Sequence, residues 1–203
     1  MERQAPQRPT RERILDAAHE LMVTLGLARA TTKEIAKAAG CSEAALYKHF
    51  TSKEDLFVGV LQERLPRLGP LLHRLIEEPG ERTLEQNLTE IAVLACDFYA
   101  QSFPVAASLY AETKLKRRHD DAMRERGMGP HMPIEALDAY LRAERDAGRV
   151  DPDADTFAAA SLLLGACAQR AFAYDATVGK RPPQPVDAFA AGLARTLLAG
   201  VSR

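Results

Sequence analysis

The sequence predicts an all-α protein, a three-helix head followed by a larger helical body, with about nine helices in all. Three observations carry this prediction. Apolar residues recur at spacings of three and four through most of the 203 residues. No segment alternates with the period of two expected of a half-buried strand. Ala and Leu recur throughout while aromatics make up only 6% and Trp is absent, a mix that favours helices over sheets.

The elements follow in order. Residues 1–9 are polar and proline-containing and read as a loose tail, with Arg3 and Arg8 available to a phosphate or a minor groove. A first helix spans Thr10 to Leu25, with Thr10 as its cap, Ile14, Leu15, Ala18, Leu21 and Met22 on one face, and Gly26 as its stop. Thr31 and Glu34 form a Thr-x-x-Glu capping box for a short second helix with Ile35, Ala38 and Ala39 inward. After the turn Gly40-Cys41, Ser42 caps a third helix from Glu43 to about Phe50. Leu46 and Phe50 point inward from it, and Ala44, Ala45, Tyr47, Lys48 and His49 lie outside.

Lys53 opens a long fourth helix that carries leucines at spacings of four and three. Pro66 and Pro70 predict a kink or break between Leu65 and Leu71, and Pro79-Gly80 ends the element. Thr83 and Gln86 cap a helix running to about Ser102, and Pro104 suits the first turn of another that fades through the charged run Lys114–Glu125. Gly127–Pro133 reads as a loop. Three further helices follow, one around Ile134–Leu141, one from Ala154 to about Tyr174, and one from about Val186 to Leu198. Domain boundaries fall at 7–67 and 68–203.

Charge excludes a simple polycation. The net formal charge is −1, so any affinity for nucleic acid must come from where charges sit. Two short helices joined by a tight glycine turn have helix-turn-helix geometry, in which the second helix enters the major groove. Ala44 and Ala45 allow close approach and contact with a thymine methyl, while Glu43 either accepts from a cytosine amino group or caps its helix. Tyr47, Lys48, His49 and Lys53, with Thr31, Thr32 and Lys33, are suited to phosphates. Lys33 and Lys53 stand at helix starts, where the dipole alone prefers acids, and a bound phosphate resolves that inversion. The run Lys114–His119 is the strongest basic stretch. It suits an acidic group or nucleic acid, but Asp120, Asp121 and Glu125 offset it, so it reads as a solvated helix end.

The run from Ile14 to Phe57 resembles the N-terminal domain of the TetR family of bacterial repressors. The resemblance rests on Ala17-Ala18, Leu21, Gly26, Thr31-Thr32, Ile35-Ala36, Ala39-Gly40, Ser42, Leu46-Tyr47, His49-Phe50, Ser52-Lys53 and Leu56-Phe57. It implies that Thr32, Lys33, Ser42, Glu43, Ala44, Ala45, Tyr47, Lys48 and His49 meet DNA, that Lys53 binds phosphate, and that the protein is a cytoplasmic homodimer on a palindromic operator. It also implies a small effector in the body.

For a lipophilic effector the candidates are Cys96, Phe98, Tyr99, Phe103, Tyr110, Thr113, Met123, Met128, Phe157, Gln169 and Phe172, since Met and aromatic side chains make adaptable pockets. Candidates for the dimer interface are Phe157, Leu162, Leu164, Phe189, Leu193 and Leu197. A ligand-independent regulator or activator with the same head is the alternative. No nucleophile–base pair, carboxylate dyad or phosphate loop suggests an enzyme, and no cofactor or metal site is expected. Three cysteines without a CxxC pair fit a reducing cytosol, and neither a signal peptide nor a membrane segment is evident.

Overall fold

The computed structural model describes residues 8–26, 29–64, 68–77, 82–125, 127, 129–174 and 181–201. Among them are ten helices and no strand. These are α1 (Thr10–Leu25), α2 (Thr32–Ala38), α3 (Glu43–Leu46), α4 (Lys53–Glu63), α5 (Leu68–Glu77), α6 (Leu84–Ala111), α7 (Thr113–Glu125), α8 (Met132–Asp146), α9 (Thr156–Ala173) and α10 (Val186–Val201).

The chain divides into two units, Met1–Leu65 with Gln101–Gly127, and Pro66–Ala100 with Met128–Arg203. The first unit thus gathers a segment, 101–127, that a cut after residue 67 assigns to the body. Its core packs Ile14, Leu15, Ala18 and Met22 of α1 against Ile35, Leu46, Phe50, Leu56 and Phe57. Leu109 and Leu115 join this core from the later segment. The α1–α4 pairing is also tied by charge. Arg64 Nε donates to Asp16 at 2.8 Å and its guanidinium also pairs with Glu12, while Arg11 grips Glu63 at 2.6 and 2.8 Å. Both ties join the start of α1 to the end of α4, so the two helices are held at both apolar and polar contacts.

The second unit packs α5, the first part of α6, α8, α9 and α10 around Leu72, Leu88, Ile91, Tyr140, Leu141, Leu163 and Leu164. A polar strand of contacts runs through this core. Asn87 Nδ2 donates to the Tyr140 hydroxyl at 2.9 Å, and Thr156 donates to the buried Asp138 at 2.6 Å. The buried Glu144 pairs with Arg149. By length and composition α6 and α9 each suffice to cross a bilayer, a test that the central helix of a soluble helical core also passes.

Several expectations are corrected. Pro9, not Thr10, occupies the cap position of α1 and makes no side-chain cap bond there. Ala36 rather than Ala38 faces inward from α2. The break expected in the long fourth helix, by contrast, is met by two separate helices: α4 ends in Arg64 as its cap, and α5 begins at Leu68 with Pro70 in its first turn, where no amide donor is needed. Pro66 and Pro79-Gly80 lie outside the described residues. Pro104 is interior, because α6 runs unbroken from Leu84 to Ala111. The charged run Lys114–Glu125 is a helix in its own right, α7, anchored by the single buried Leu115. Met132 and Pro133 open α8 instead of closing a loop.

Candidate nucleic-acid interface

Local sequence builds the surface. Thr31 caps α2 by accepting from the Glu34 amide, and the Glu34 carboxylate accepts from the Thr31 amide and hydroxyl, at 3.1 and 2.8 Å. The Thr31 bonds hold the Glu34 carboxyl below its usual range. Gly40 then turns the chain with φ +64°, a left-handed conformation that costs a residue with a Cβ roughly 1–2 kcal/mol. Ser42 caps α3 by accepting from the Ala45 amide at 3.1 Å, and Ser52 does the same for α4 through Asp55, also at 3.1 Å.

α3 proper is four residues long, and Tyr47 to His49 continue it as turns, so the expected helix to Phe50 is shortened. Leu46 and Phe50 are buried as expected, which turns Ala44, Tyr47, Lys48 and His49 to solvent and leaves Ala45 half-buried.

The two short helices are bound together by a contact that spacing alone does not reveal. Thr32 Oγ1 donates to Glu43 Oε1 at 2.6 Å, and the Tyr47 hydroxyl donates to Thr32 Oγ1 at 3.5 Å. Glu43 is therefore engaged by α2, and Thr32 sits between the starts of α2 and α3. Lys33 is exposed beside it. Lys53 lies over the Phe57 ring, 5.1 Å from its centroid, at the first residue of α4. Arg118 of α7 joins this edge, its Nη1 donating to Ser52 Oγ at 2.9 Å and lying 3.7 Å from Glu54. In the sequence Arg118 is one more cation in a solvated run. Only the burial of Leu115 in the head core brings it here.

The body candidates are distributed between the units. Cys96, Phe98 and Tyr99 belong to the second unit, where Phe98 and Tyr99 stack edge to face at 5.0 Å. Burial pushes the Tyr99 phenol up. The Cys167 thiol donates to the Ala92 carbonyl at 3.5 Å. Contact with Cys96 and burial push Cys167 upward. Phe103, Tyr110, Thr113 and Met123 fall in the first unit, with Tyr110 exposed under Lys116. Met128 lies outside the described residues.

On α9, Phe157, Leu162, Gln169 and Phe172 face solvent, whereas Leu164 is packed in the protomer core together with Leu197 of α10. Phe189 and Leu193 are half-buried. A shallow depression of about 470 Å³ at the start of α6 is lined by Arg82, Thr83, Glu85, Gln86, Thr89 and Glu90 and involves none of these candidates. Among the described residues no group of three His, Cys, Asp or Glu could hold a metal.

The comparisons with known proteins agree with the geometry of the head. Residues 14–60 match the family described as bacterial regulatory proteins, tetR family. The HTH-type transcriptional regulator UidR of Escherichia coli (strain K12) is 28% identical over 162 residues, 79% of each chain. The uncharacterized HTH-type transcriptional regulator YvkB of Bacillus subtilis (strain 168) is 42% identical over 67 residues. That match covers 33% of this chain and 35% of YvkB, so the likeness spans about a third of that relative's length. Among solved structures, the transcriptional regulator FadR from Bacillus subtilis in complex with stearoyl-CoA superposes with a TM-score of 0.66 at 19% identity, over 93% of this chain and 98% of that one. The head, residues 14–60, is thus a helix-turn-helix segment that matches the bacterial regulatory proteins of the tetR family, and the chain as a whole has the all-helical fold seen in FadR.

Proposed function

We propose that the protein is a homodimeric repressor that reads a palindromic operator through α3 and leaves it when a small lipophilic effector occupies the body, residues 68–203. The observation that carries the reading is the tie between Thr32, Glu43 and Tyr47. It fixes α2 against α3 while Ala44, Lys48 and His49 stay exposed. In this arrangement Ala44 and Ala45 approach base edges. Thr31, Thr32, Lys33, Ser42, Tyr47, Lys48, His49 and Lys53 hold phosphates, which set register without specifying sequence. Glu43 acts by positioning Thr32.

One such head reads few base pairs, so useful affinity needs two at fixed spacing. The exposed face of α9 supports a second copy as the partner. Ala158, Leu162, Gly165, Gln169 and Phe172 recur at spacings of four and three, and nothing lies within 4 Å of a Cβ placed on Gly165. Two such faces permit close helix approach across a two-fold axis, with Phe157, Phe189 and Leu193 at the margins. FadR's complex with stearoyl-CoA supports a lipophilic effector. A cytoplasmic location follows from the DNA partner.

Operator binding by variants tests this assignment. Tyr47→Ala and Lys53→Ala should weaken binding to every duplex alike, whereas substitutions at Ala44 or Ala45 should change which duplex is preferred. Equal, sequence-independent loss at all four positions would overturn the assignment of roles. Fatty acyl-CoA probes should release the wild-type dimer from DNA, and a full panel without any release favours the ligand-independent alternative.

A further inference from the structure

We propose that α7 is a second, sequence-independent DNA contact, in which Lys114, Arg117 and Arg118 hold backbone phosphates beside the site read by α3. This rests on the DNA-reading surface proposed above and extends it to a helix that the sequence pattern places in the body.

Three observations support it. First, α7 is part of the head: Leu115 is buried in the same core as Leu46, Phe50 and Leu56. Second, the Arg118 guanidinium is located by its bond to Ser52 Oγ at 2.9 Å, one residue from Lys53, so the basic face of α7 is continuous with the proposed phosphate edge. Third, the charge on this face is not neutralised by the acids that follow it in sequence. Asp120 is taken by Lys116 at 2.5 Å and Asp121 by Arg124 at 2.9 Å. Glu54 draws on Arg118 from 3.7 Å, and Glu125 lies two turns beyond Arg118. Lys114 and Arg117 are exposed and make no ion pair among the described residues.

Helical geometry gathers these cations. Lys114, Arg117 and Arg118 are three and four residues apart and so share one side of the helix, with Arg118 nearest the buried Leu115 and Arg117 farthest from it. A row of cations that continues a phosphate-holding edge is complementary to the regular negative charge of a duplex backbone, and such contacts add affinity without sequence preference. In this arrangement Arg118 also braces the α4 cap, while Lys114 and Arg117 are left to meet the duplex.

The test uses two labelled duplexes of equal length, one selected by the wild-type protein from a random library and one of random sequence. Binding is measured by anisotropy from about 50 to 200 mM salt, the range over which phosphate neutralisation dominates the change in affinity. The neutralised variant K114Q/R117Q should bind both duplexes more weakly by the same factor, roughly tenfold or more. Its salt slope should be shallower by about 0.9 for each phosphate that the variant no longer neutralises. The swapped variant K114R/R117K keeps the charge and should bind as wild type. A neutralised variant with the wild-type slope, in a series where Lys53→Ala still weakens binding, overturns the role of α7 alone. So does a swapped variant that binds as weakly as the neutralised one, because the effect is then not electrostatic. Wild-type protein without salt-dependent binding to either duplex overturns the DNA-reading surface together with it.

Discussion

The head and the body solve the same packing problem with opposite placements of polar groups. In the head, polar contacts lie at the surface. Capping bonds at Thr31, Ser42 and Ser52, the Thr32–Glu43 tie and the Arg64 and Arg11 clamps surround a small core and hold exposed side chains in fixed positions. In the body, polar groups are interior: Asn87, Asp138, Glu144 and Thr156 are all buried. The difference suits the tasks. A surface that meets a duplex must present side chains at set positions, whereas a body with exposed apolar side chains on α9 needs internal hydrogen bonds that only one packing satisfies.

The largest test of this contrast is a matched pair of core truncations. Leu56 and Leu163 are both fully buried, one in each unit, and replacing either by Ala should cost about 2–5 kcal/mol. If the cores are energetically separate, Leu56→Ala lowers one unfolding transition and abolishes duplex binding, while Leu163→Ala lowers the other. Urea unfolding followed by circular dichroism, with binding measured in parallel, reads both. One shared transition that moves equally in the two variants would show a single cooperative unit and dissolve the contrast.

A smaller effect probes the interior polar design. Tyr140→Phe removes the hydroxyl that accepts from Asn87 Nδ2, and Asn87 Oδ1 already lacks a partner among the described residues. Leaving the amide donor buried and unpaired should cost roughly 1–3 kcal/mol, and Asn87→Leu in the Tyr140→Phe background should recover part of it. The Tyr140 phenol is pushed well above its ordinary value by burial and by its bond to Glu144, so it remains a neutral donor and acceptor throughout the usable pH range. A double variant no more stable than the single one would show that the buried amide carries no penalty.

The same contrast explains what was legible in the sequence. Caps and turns act over three or four residues, so Thr31 with Glu34, Ser42 and Gly40 announce the head's helices directly. α7 does not announce its place. It has one buried leucine among charges, and what fixes it to the head is a contact between Leu115 and residues more than fifty positions earlier. Pro104 misled for a related reason. A proline removes one amide donor, and the many other turns of a 28-residue helix carry the element through it. Glu43 shows the limit for sites: spacing places it at the mouth of α3, but only the fold reveals that Thr32 occupies it. For the body, Phe and Met at helical spacing cannot say which of them face a core, a cavity or a partner, since all three want apolar surface.

The smallest effect concerns acid. His19 of α1 and His119 of α7 both belong to the head, and each is partly buried with one ring nitrogen, Nε2 of His19 and Nδ1 of His119, lacking a partner among the described residues. Burial lowers both from the ordinary value of 6.5, with Arg64 adding to the effect at His19 and Lys116 at His119, while Asp16 and Asp120 oppose it. A depressed folded-state value means that the unfolded chain binds protons first as pH falls. The head's stability is therefore full above pH 6.5 and declines as pH falls below it, through the folded-state values. Unfolding measured from neutral to mildly acid pH should show the head's transition moving down more than the body's. H19Q/H119Q should flatten that slope without abolishing duplex binding at neutral pH. An unchanged slope in the double variant would show that the two partly buried rings are not the point at which acid loosens the head.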